Sequence, residues 1–278
     1  MLDNSNDIFS LKGKTIVITG AMGLLGMKHA EIIASYGGNP ILLDLSEKLV
    51  KAHAEKLNRK YLVNASGYEV DITDEAKIES NILEIKNKYK SIDGLVNNAA
   101  NNPKVEEDSE KNFSRLENFS LKNWNKDIAV GLTGAFLCAK HYGFLISKNP
   151  KGGVIINISS DLGLIGPDQR LYSDSKDPEE SRAVKPVTYS VVKTGIIGLT
   201  RYLATYWAEK NVRCNAICPG GVENGQPDGF LNNVSSRIPL GRLAKADEYQ
   251  GVLIWMLSSS SSYLNGAIVP VDGGRTAW

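Results

Sequence analysis

Three tyrosines in this chain are followed by a lysine four residues later: Tyr172/Lys176, Tyr189/Lys193 and Tyr206/Lys210. Residues four apart on a helix share a face, so such a pair can hold an ammonium beside a phenol. That arrangement makes the phenol a proton-transfer group. Its unperturbed pKa is about 10, and a neighbouring cation favours the phenolate. Moving it ~3 units toward neutrality corresponds to about 4 kcal/mol of charge stabilisation. The spacing alone is weak, because among 11 tyrosines roughly one such copy arises by chance. Helical context separates the three. Tyr189 opens a stretch in which Val192, Ile196, Leu199, Leu203 and Tyr206 recur at helical spacing. Tyr172 runs into Asp177-Pro178, which breaks a helix early. Tyr206 lies too close to Pro219. Tyr189 with Lys193 is the selected pair.

A second constellation is built to hold a phosphate. Thr19-Gly20-Ala21-Met22-Gly23-Leu24-Leu25-Gly26 lies between the first apolar run and the first helical pattern. A tight turn and a close approach to a pyrophosphate exclude Cβ atoms, and the helix N-terminus receives the negative charge. Asp44 closes the second apolar run, 18 residues after Gly26. A carboxylate there accepts hydrogen bonds from ribose hydroxyls and repels a 2′-phosphate. It can equally be a helix N-terminal acid stabilised by the dipole. Asp71 ends the third run, where it can meet an adenine or cap the helix that follows.

The elements that must position these residues are β-strands and helices in alternation. Runs at 15–19, 40–43, 67–70, 94–96, 154–158, 213–217 and 267–271 read as strands. Helical patterns run from the glycine turn through Tyr36, from the second strand through Lys60 and from Thr73 to Lys90. The apolar runs are continuous, as expected when both faces of a sheet are covered. The expected fold is therefore α/β, a Rossmann-like doubly wound parallel sheet. There is no internal repeat and no clear linker, so residues 1–278 form one expected domain. Two polar stretches, 101–118 and 167–186, depart from the pattern.

Composition narrows the partners. The 278 residues carry 32 basic and 31 acidic side chains, a net charge of +1, and 42% are hydrophobic. No basic tract points to nucleic acid, and no apolar run approaches the ~20 residues of a membrane span. Residues 1–10 are polar and acidic, unlike a signal peptide. Cys138, Cys214 and Cys218 are an odd number, and on a strand Cys214 and Cys218 stand roughly 13 Å apart, too far for a disulfide. Free buried thiols and a cytoplasmic location are expected. His29, His53 and His141 show no ligand spacing, so no metal site is expected.

Six segments occur in an order that resembles the short-chain dehydrogenase/reductase family, single-domain branch: Thr19–Gly26, Asn97-Asn98-Ala99-Ala100, Ile158-Ser159-Ser160, Tyr189 to Lys193, Pro219-Gly220 and Val271-Asp272-Gly273-Gly274. The match runs from about Leu11 to Gly274. The resemblance implies Ser160, Tyr189 and Lys193 as catalytic residues. Ser160 would donate to the substrate oxygen, and Lys193 would also bind the nicotinamide ribose. It implies a cofactor site of Gly20, Met22, Gly23, Leu24, Leu25, Gly26, Asp44, Asp71, Ile72, Asn98, Ala99, Ala100, Tyr189, Lys193, Pro219, Gly220 and Val222. It further implies a homotetramer or homodimer acting on a small polar molecule.

Three departures qualify the resemblance. The Thr-Gly-x-x-Gly-x-x-Gly spacing is that of the two-domain branch, which includes nucleotide-sugar epimerases and dehydratases. Gly131 stands where many members place a relay asparagine, and Asn224 stands near a usual threonine. Glycine inside a helix costs about 1 kcal/mol against alanine, so a helix break at Gly131 is expected, with a free carbonyl for a relay water. Ser160 and Tyr189 are also unusually far apart, 29 positions, with the polar segment 167–186 between them. That segment is a solvated loop or oligomer contact, or else a substrate wall using Arg170 and Tyr172.

The function expected from these residues is alcohol–carbonyl interconversion on a polar substrate, such as a sugar derivative. NAD is expected as cofactor rather than NADP, from Asp44. Two alternatives stay open: a nucleotide-sugar epimerase or dehydratase with retained NAD, and a non-catalytic NAD(H)-binding sensor or scaffold.

Overall fold

A computed structural model describes residues 8–101, 114–172, 178 and 182–278. Seven parallel strands form one sheet in the order β3-β2-β1-β4-β5-β6-β7. They are β1 (Thr15–Thr19), β2 (Asn39–Asp44), β3 (Ser66–Glu69), β4 (Gly94–Asn97), β5 (Gly153–Ile158), β6 (Val212–Pro219) and β7 (Ile268–Val271). All seven coincide with the expected runs to within two residues at each end. Strand order reverses between β1 and β4, and this switch point opens a crevice at the carboxyl ends of the strands.

The central strands are largely apolar because alternate side chains feed two cores. Ile16 and Ile18 of β1 join a core with Ala30 and Ile33 of α1 (Leu24–Ser35) and Val50 and Leu57 of α2 (Glu47–Tyr61). Val17 between them faces the other core, with Ile78 and Ile85 of α3 (Glu75–Lys88). That second core also takes Leu137 and Tyr142 of α4 (Leu121–Ile146) and Leu203 of α5 (Val187–Tyr206). Two shorter helices follow, α6 (Asp228–Ser235) and α7 (Gln250–Leu257); Leu253 and Met256 of α7 complete the first core.

Helix α4 bears on two expectations. Its 26 residues are long and apolar enough to cross a membrane by length and composition, a property hidden in the sequence by Lys126, Asp127 and Lys140. Its buried Leu137, Cys138 and Tyr142 pack against Leu95 and Ile155 of the sheet, so it serves as a core helix here. Nor does it break at Gly131. Residues Ala129–Thr133 instead form a π-helical turn, flanked by ordinary helical dihedrals. The reason for glycine is proximity, since a Cβ at Gly131 would stand 2.5 Å from Cγ1 of Val192 on α5.

The three cysteines are free and buried. The histidines do not form a site by sequence spacing, but folding brings His141 beside Glu75 and Glu79, with ligand atoms within 4.8 Å of one another. Glu75 is already engaged there, its Oε1 lying 2.6 Å from both Lys140 Nζ and His141 Nε2.

Candidate active site

The glycine turn forms one end of a cleft of about 770 Å³ at the switch point. Gly20 has φ +61°, and a Cβ on it would lie 2.8 Å from Cα of Ala99. A Cβ on Gly26 would lie 2.2 Å from the carbonyl oxygen of Gly20. Gly26 therefore stands behind the turn and keeps it closed, while Gly20, Met22, Gly23, Leu24 and Leu25 face the cleft. Gly23 caps α1 with no side-chain hydrogen bond, leaving the helix N-terminus to a ligand anion. This cradle, which any Cβ would fill, fits the pyrophosphate of a nicotinamide dinucleotide.

Asp44 lines the cleft and also supports it. Its Oδ2 accepts from Met22 N at 2.8 Å and its Oδ1 from Leu45 N at 2.8 Å. Each oxygen keeps a second lone pair for a ribose hydroxyl. Asp71 and Ile72 line the same side. Asp71 does not cap α3; its Oδ1 accepts from the backbone N and the hydroxyl of Thr73. The cap is Asp74, whose Oδ1 accepts from Ala76 N and Lys77 N. Asn98, Ala99 and Ala100 form the opposite wall. The Asn98 amide is committed to the fold, donating to the carbonyls of Thr19 and Gly20 at 3.1 and 3.0 Å. Pro219, Gly220 and Val222 close the far side.

At the other end the cleft receives Ser160, Tyr189 and Lys193. Helix α5 is fastened to the end of β5 by two contacts. Ser159 Oγ donates to the Lys193 carbonyl at 2.7 Å, and Lys193 Nζ donates to the Ile158 carbonyl at 3.0 Å. Lys193 Nζ lies 5.8 Å from the centre of the Tyr189 ring. Burial pushes the Lys193 ammonium down to about 8, and the nearby Lys185 charge adds to this. Burial pushes the Tyr189 phenol up, while a hydrogen bond with Ser160 draws it back. Ser160 Oγ itself donates to Oδ1 of Asp161 at 2.8 Å. Asp161 is in turn locked by Arg275, Nη1 to Oδ2 at 2.9 Å, with both side chains nearly inaccessible.

The rival tyrosines separate clearly. Tyr206 is exposed and stacks on Tyr202 at 5.4 Å. Tyr172 lines the cleft beside Phe230, at 6.0 Å between ring centres; its Lys176 lies outside the described residues. Arg170 does not reach the cleft. Its guanidinium points outward, 82% exposed, onto Asp168 at 2.8 Å. Asp168 also binds Arg237 at 2.6 Å, which anchors the start of the 167–186 segment beside α6. Of that segment, Asp174, Lys176, Asp177, Glu179 and Glu180 lie outside the described residues.

A second cavity of about 10 Å³ lies behind the catalytic pair, lined by Asn101, Asp127, Gly131, Thr188, Tyr189 and Lys193 among others. It is about the size of one water. Asp127 is buried there, accepting from Asn101 Nδ2 at 2.6 Å and from the Thr188 hydroxyl. Residue typing and spacing give no sign of Asp127 or of the Asp161–Arg275 pair, and they place Lys185 only as one charge among several in the 167–186 segment.

Residues 14–178 match the family described as short chain dehydrogenase, and residues 179–276 match one described as enoyl-(acyl carrier protein) reductase. A 3-oxoacyl-(acyl-carrier-protein) reductase of Aquifex aeolicus is 34% identical over 95% of this chain and 98% of the relative. An NADP-dependent mannitol dehydrogenase of Hypocrea jecorina is 31% identical over 97% of this chain and 95% of its own. The crystal structure of a gluconate 5-dehydrogenase from Burkholderia cenocepacia, in complex with NADP and tartrate, superposes with TM-score 0.84 at 25% identity, covering 98% of both chains. The chain belongs to the short-chain dehydrogenase/reductase family, whose members are NAD(P)-dependent oxidoreductases of CH–OH and carbonyl groups.

Proposed function

We propose that this protein interconverts an alcohol and a carbonyl on a polar, polyhydroxylated substrate, using NAD. The observation that carries the reading is that Ser160, Tyr189 and Lys193 stand in the same cleft as the glycine cradle. A bound nicotinamide supplies the hydride acceptor in oxidation and the donor in reduction. The chain supplies the proton and the geometry. Tyr189 gives a proton to the carbonyl oxygen in reduction and takes it from the hydroxyl in oxidation. With its phenol held up by burial, it stays protonated near neutral pH and carries the proton that reduction needs. Oxidation needs the phenolate, which the cations of Lys193 and Lys185 favour. Ser160 turns its hydroxyl from Asp161 toward the substrate oxygen and holds it beside Tyr189. The small cavity next to Lys193 provides room for a water through which protons reach the ammonium.

NAD is favoured by Asp44, whose charge at the end of β2 repels a 2′-phosphate. The relatives that use NADP argue in the other direction, so cofactor choice is tested directly. Titration with both dinucleotides is expected to give NAD at least ten-fold the affinity of NADP, and Asp44→Ala to erase most of that gap. Tighter NADP binding by the unaltered protein contradicts the assignment.

The reading extends to a cytoplasmic homodimer or homotetramer. Exposed Phe136 and Phe144 on α4 and Tyr202 and Tyr206 on α5 support it, since they leave apolar rings uncovered on neighbouring helices. A monomeric mass by light scattering at micromolar concentration counts against it.

A further inference from the structure

The polar segment between Ser160 and Tyr189 begins as part of the cleft wall. Leu171 is buried and packs with Val234, Ile238 and Leu243 in a small apolar cluster of its own, apart from the two cores that cover the sheet. Val234 belongs to α6, and Asp168 ties the same two segments together through Arg237 at 2.6 Å. Two rings rest on this cluster, Tyr172 from the segment and Phe230 from α6. Their centres are 6.0 Å apart and their planes are inclined at 47°. Both rings are partly exposed, and both line the cleft.

Tyr172 stands near enough to Tyr189 for the two phenols to act on each other electrostatically. A substrate whose oxygen touches Tyr189 therefore has this aromatic wall beside it, while Ser160, Tyr189 and Asn224 offer polar groups in the same cleft. Three classes of ligand fare differently there. A purely apolar ring leaves those polar groups without partners, which costs about 1–3 kcal/mol for each one it buries. An open-chain polyol satisfies them, but it carries hydroxyls on every side and loses conformational entropy when held in one shape. A saturated ring with hydroxyls at its rim satisfies them as well. It is already rigid, and its flat C–H face packs against an aromatic surface.

We propose that Tyr172 and Phe230 form a platform for a saturated ring, so that the protein acts on a cyclic polyol, such as a pyranose or a cyclitol, in preference to an open-chain one. This rests on the dehydrogenase reading of the cleft and narrows its substrate class. It gives the start of the 167–186 segment the role of a substrate wall, carried by Tyr172 in place of Arg170, which faces away. The cluster beneath the rings and the Asp168–Arg237 pair beside them hold the platform in shape before a ligand arrives.

Binding to the protein saturated with reduced nicotinamide dinucleotide tests this, because an alcohol cannot be oxidised there. The cyclitol myo-inositol and the hexitol sorbitol have the same number of carbons and of hydroxyls and differ by ring closure. By calorimetry, myo-inositol is expected to bind at least ten-fold tighter than sorbitol, about 1.4 kcal/mol. Tyr172→Leu and Phe230→Leu each remove one aromatic face and keep apolar bulk. Each should weaken inositol binding roughly three-fold and leave sorbitol nearly unchanged, and the double variant should abolish the preference. Tyr172→Phe should keep it. Dinucleotide affinity should be unchanged in all four, which also shows that they are folded. Equal binding of inositol and sorbitol, absence of inositol binding, or a preference that survives the double variant overturns the proposal. Cyclohexanol binding as tightly as inositol overturns it in favour of an apolar ring. Failure of the dehydrogenase reading would show elsewhere, as absence of nicotinamide reduction with any alcohol.

Discussion

Tyr189→Phe is expected to lower kcat by about 10³–10⁴-fold, the upper range for loss of a general acid–base, and to leave dinucleotide affinity nearly unchanged. The substitution removes one oxygen and keeps the ring that packs between Lys185 and Lys193. Lys193→Ala should differ in kind. It removes the charge that favours phenolate and the side chain that ties α5 to Ile158, so both turnover and dinucleotide binding should fall. Tyr172→Phe is the informative control, because Tyr172 shares the cleft. Burial pushes its phenol up to about 12, which keeps it protonated, and a wall role predicts a changed KM with little change in kcat. If Tyr172→Phe were inactive and Tyr189→Phe active, the assignment of the two tyrosines would be reversed.

Arg275→Ala should be the most damaging single change to stability. Asp161 is only 4% exposed at its side chain and Arg275 9%, so solvent does little to screen their interaction. Removing the guanidinium leaves a buried carboxylate without its counter-ion, which costs about 3–5 kcal/mol. A fall in the thermal midpoint of roughly 10 °C follows. The same loss reaches the chemistry, because Asp161 accepts the Ser160 hydroxyl and the Leu162 backbone N, each at 2.8 Å. A cycle with Asp161→Asn separates the pair from its parts. In that background Arg275→Ala should cost less than about 1 kcal/mol, since no buried charge is stranded. A single Arg275→Ala within about 0.5 kcal/mol of the unaltered protein would show that the pair is not what holds this end of the cleft.

Most of the sheet was legible in the sequence because the central strands β1, β4 and β5 are buried on both faces and read as apolar runs. The glycine turn was legible for a different reason. Positions such as Gly20 and Gly26 have no room for a Cβ, and their spacing records that exclusion. What escaped the sequence depends on partners far apart in the chain. Asp161 and Arg275 are separated by 114 positions, and neither looks unusual alone. Lys185 reads in the sequence as one of the charged residues of the 167–186 segment, and only the fold brings its ammonium 3.9 Å from the centre of the Tyr189 ring. Asn98 lines the cleft, and the sequence did not reveal that its side-chain nitrogen donates to the Thr19 and Gly20 carbonyls. At Gly131 local propensity pointed to a break; the helix widened into a π turn, and the glycine is accounted for by the approach of Val192.

The reaction expected of this cleft is a net redox conversion of an alcohol or carbonyl, carried by Tyr189. Its most direct test is the absorbance of reduced nicotinamide when the purified protein is given oxidised dinucleotide and a panel of polyols and hydroxy acids. Net reduced nicotinamide, in step with carbonyl product, is expected for at least one polar alcohol, and is expected to be lost in Tyr189→Phe. Conversion of a nucleotide sugar with no net change in the nicotinamide would contradict it in favour of an epimerase or dehydratase. Tight dinucleotide binding with no turnover of any panel member would contradict it in favour of a sensor.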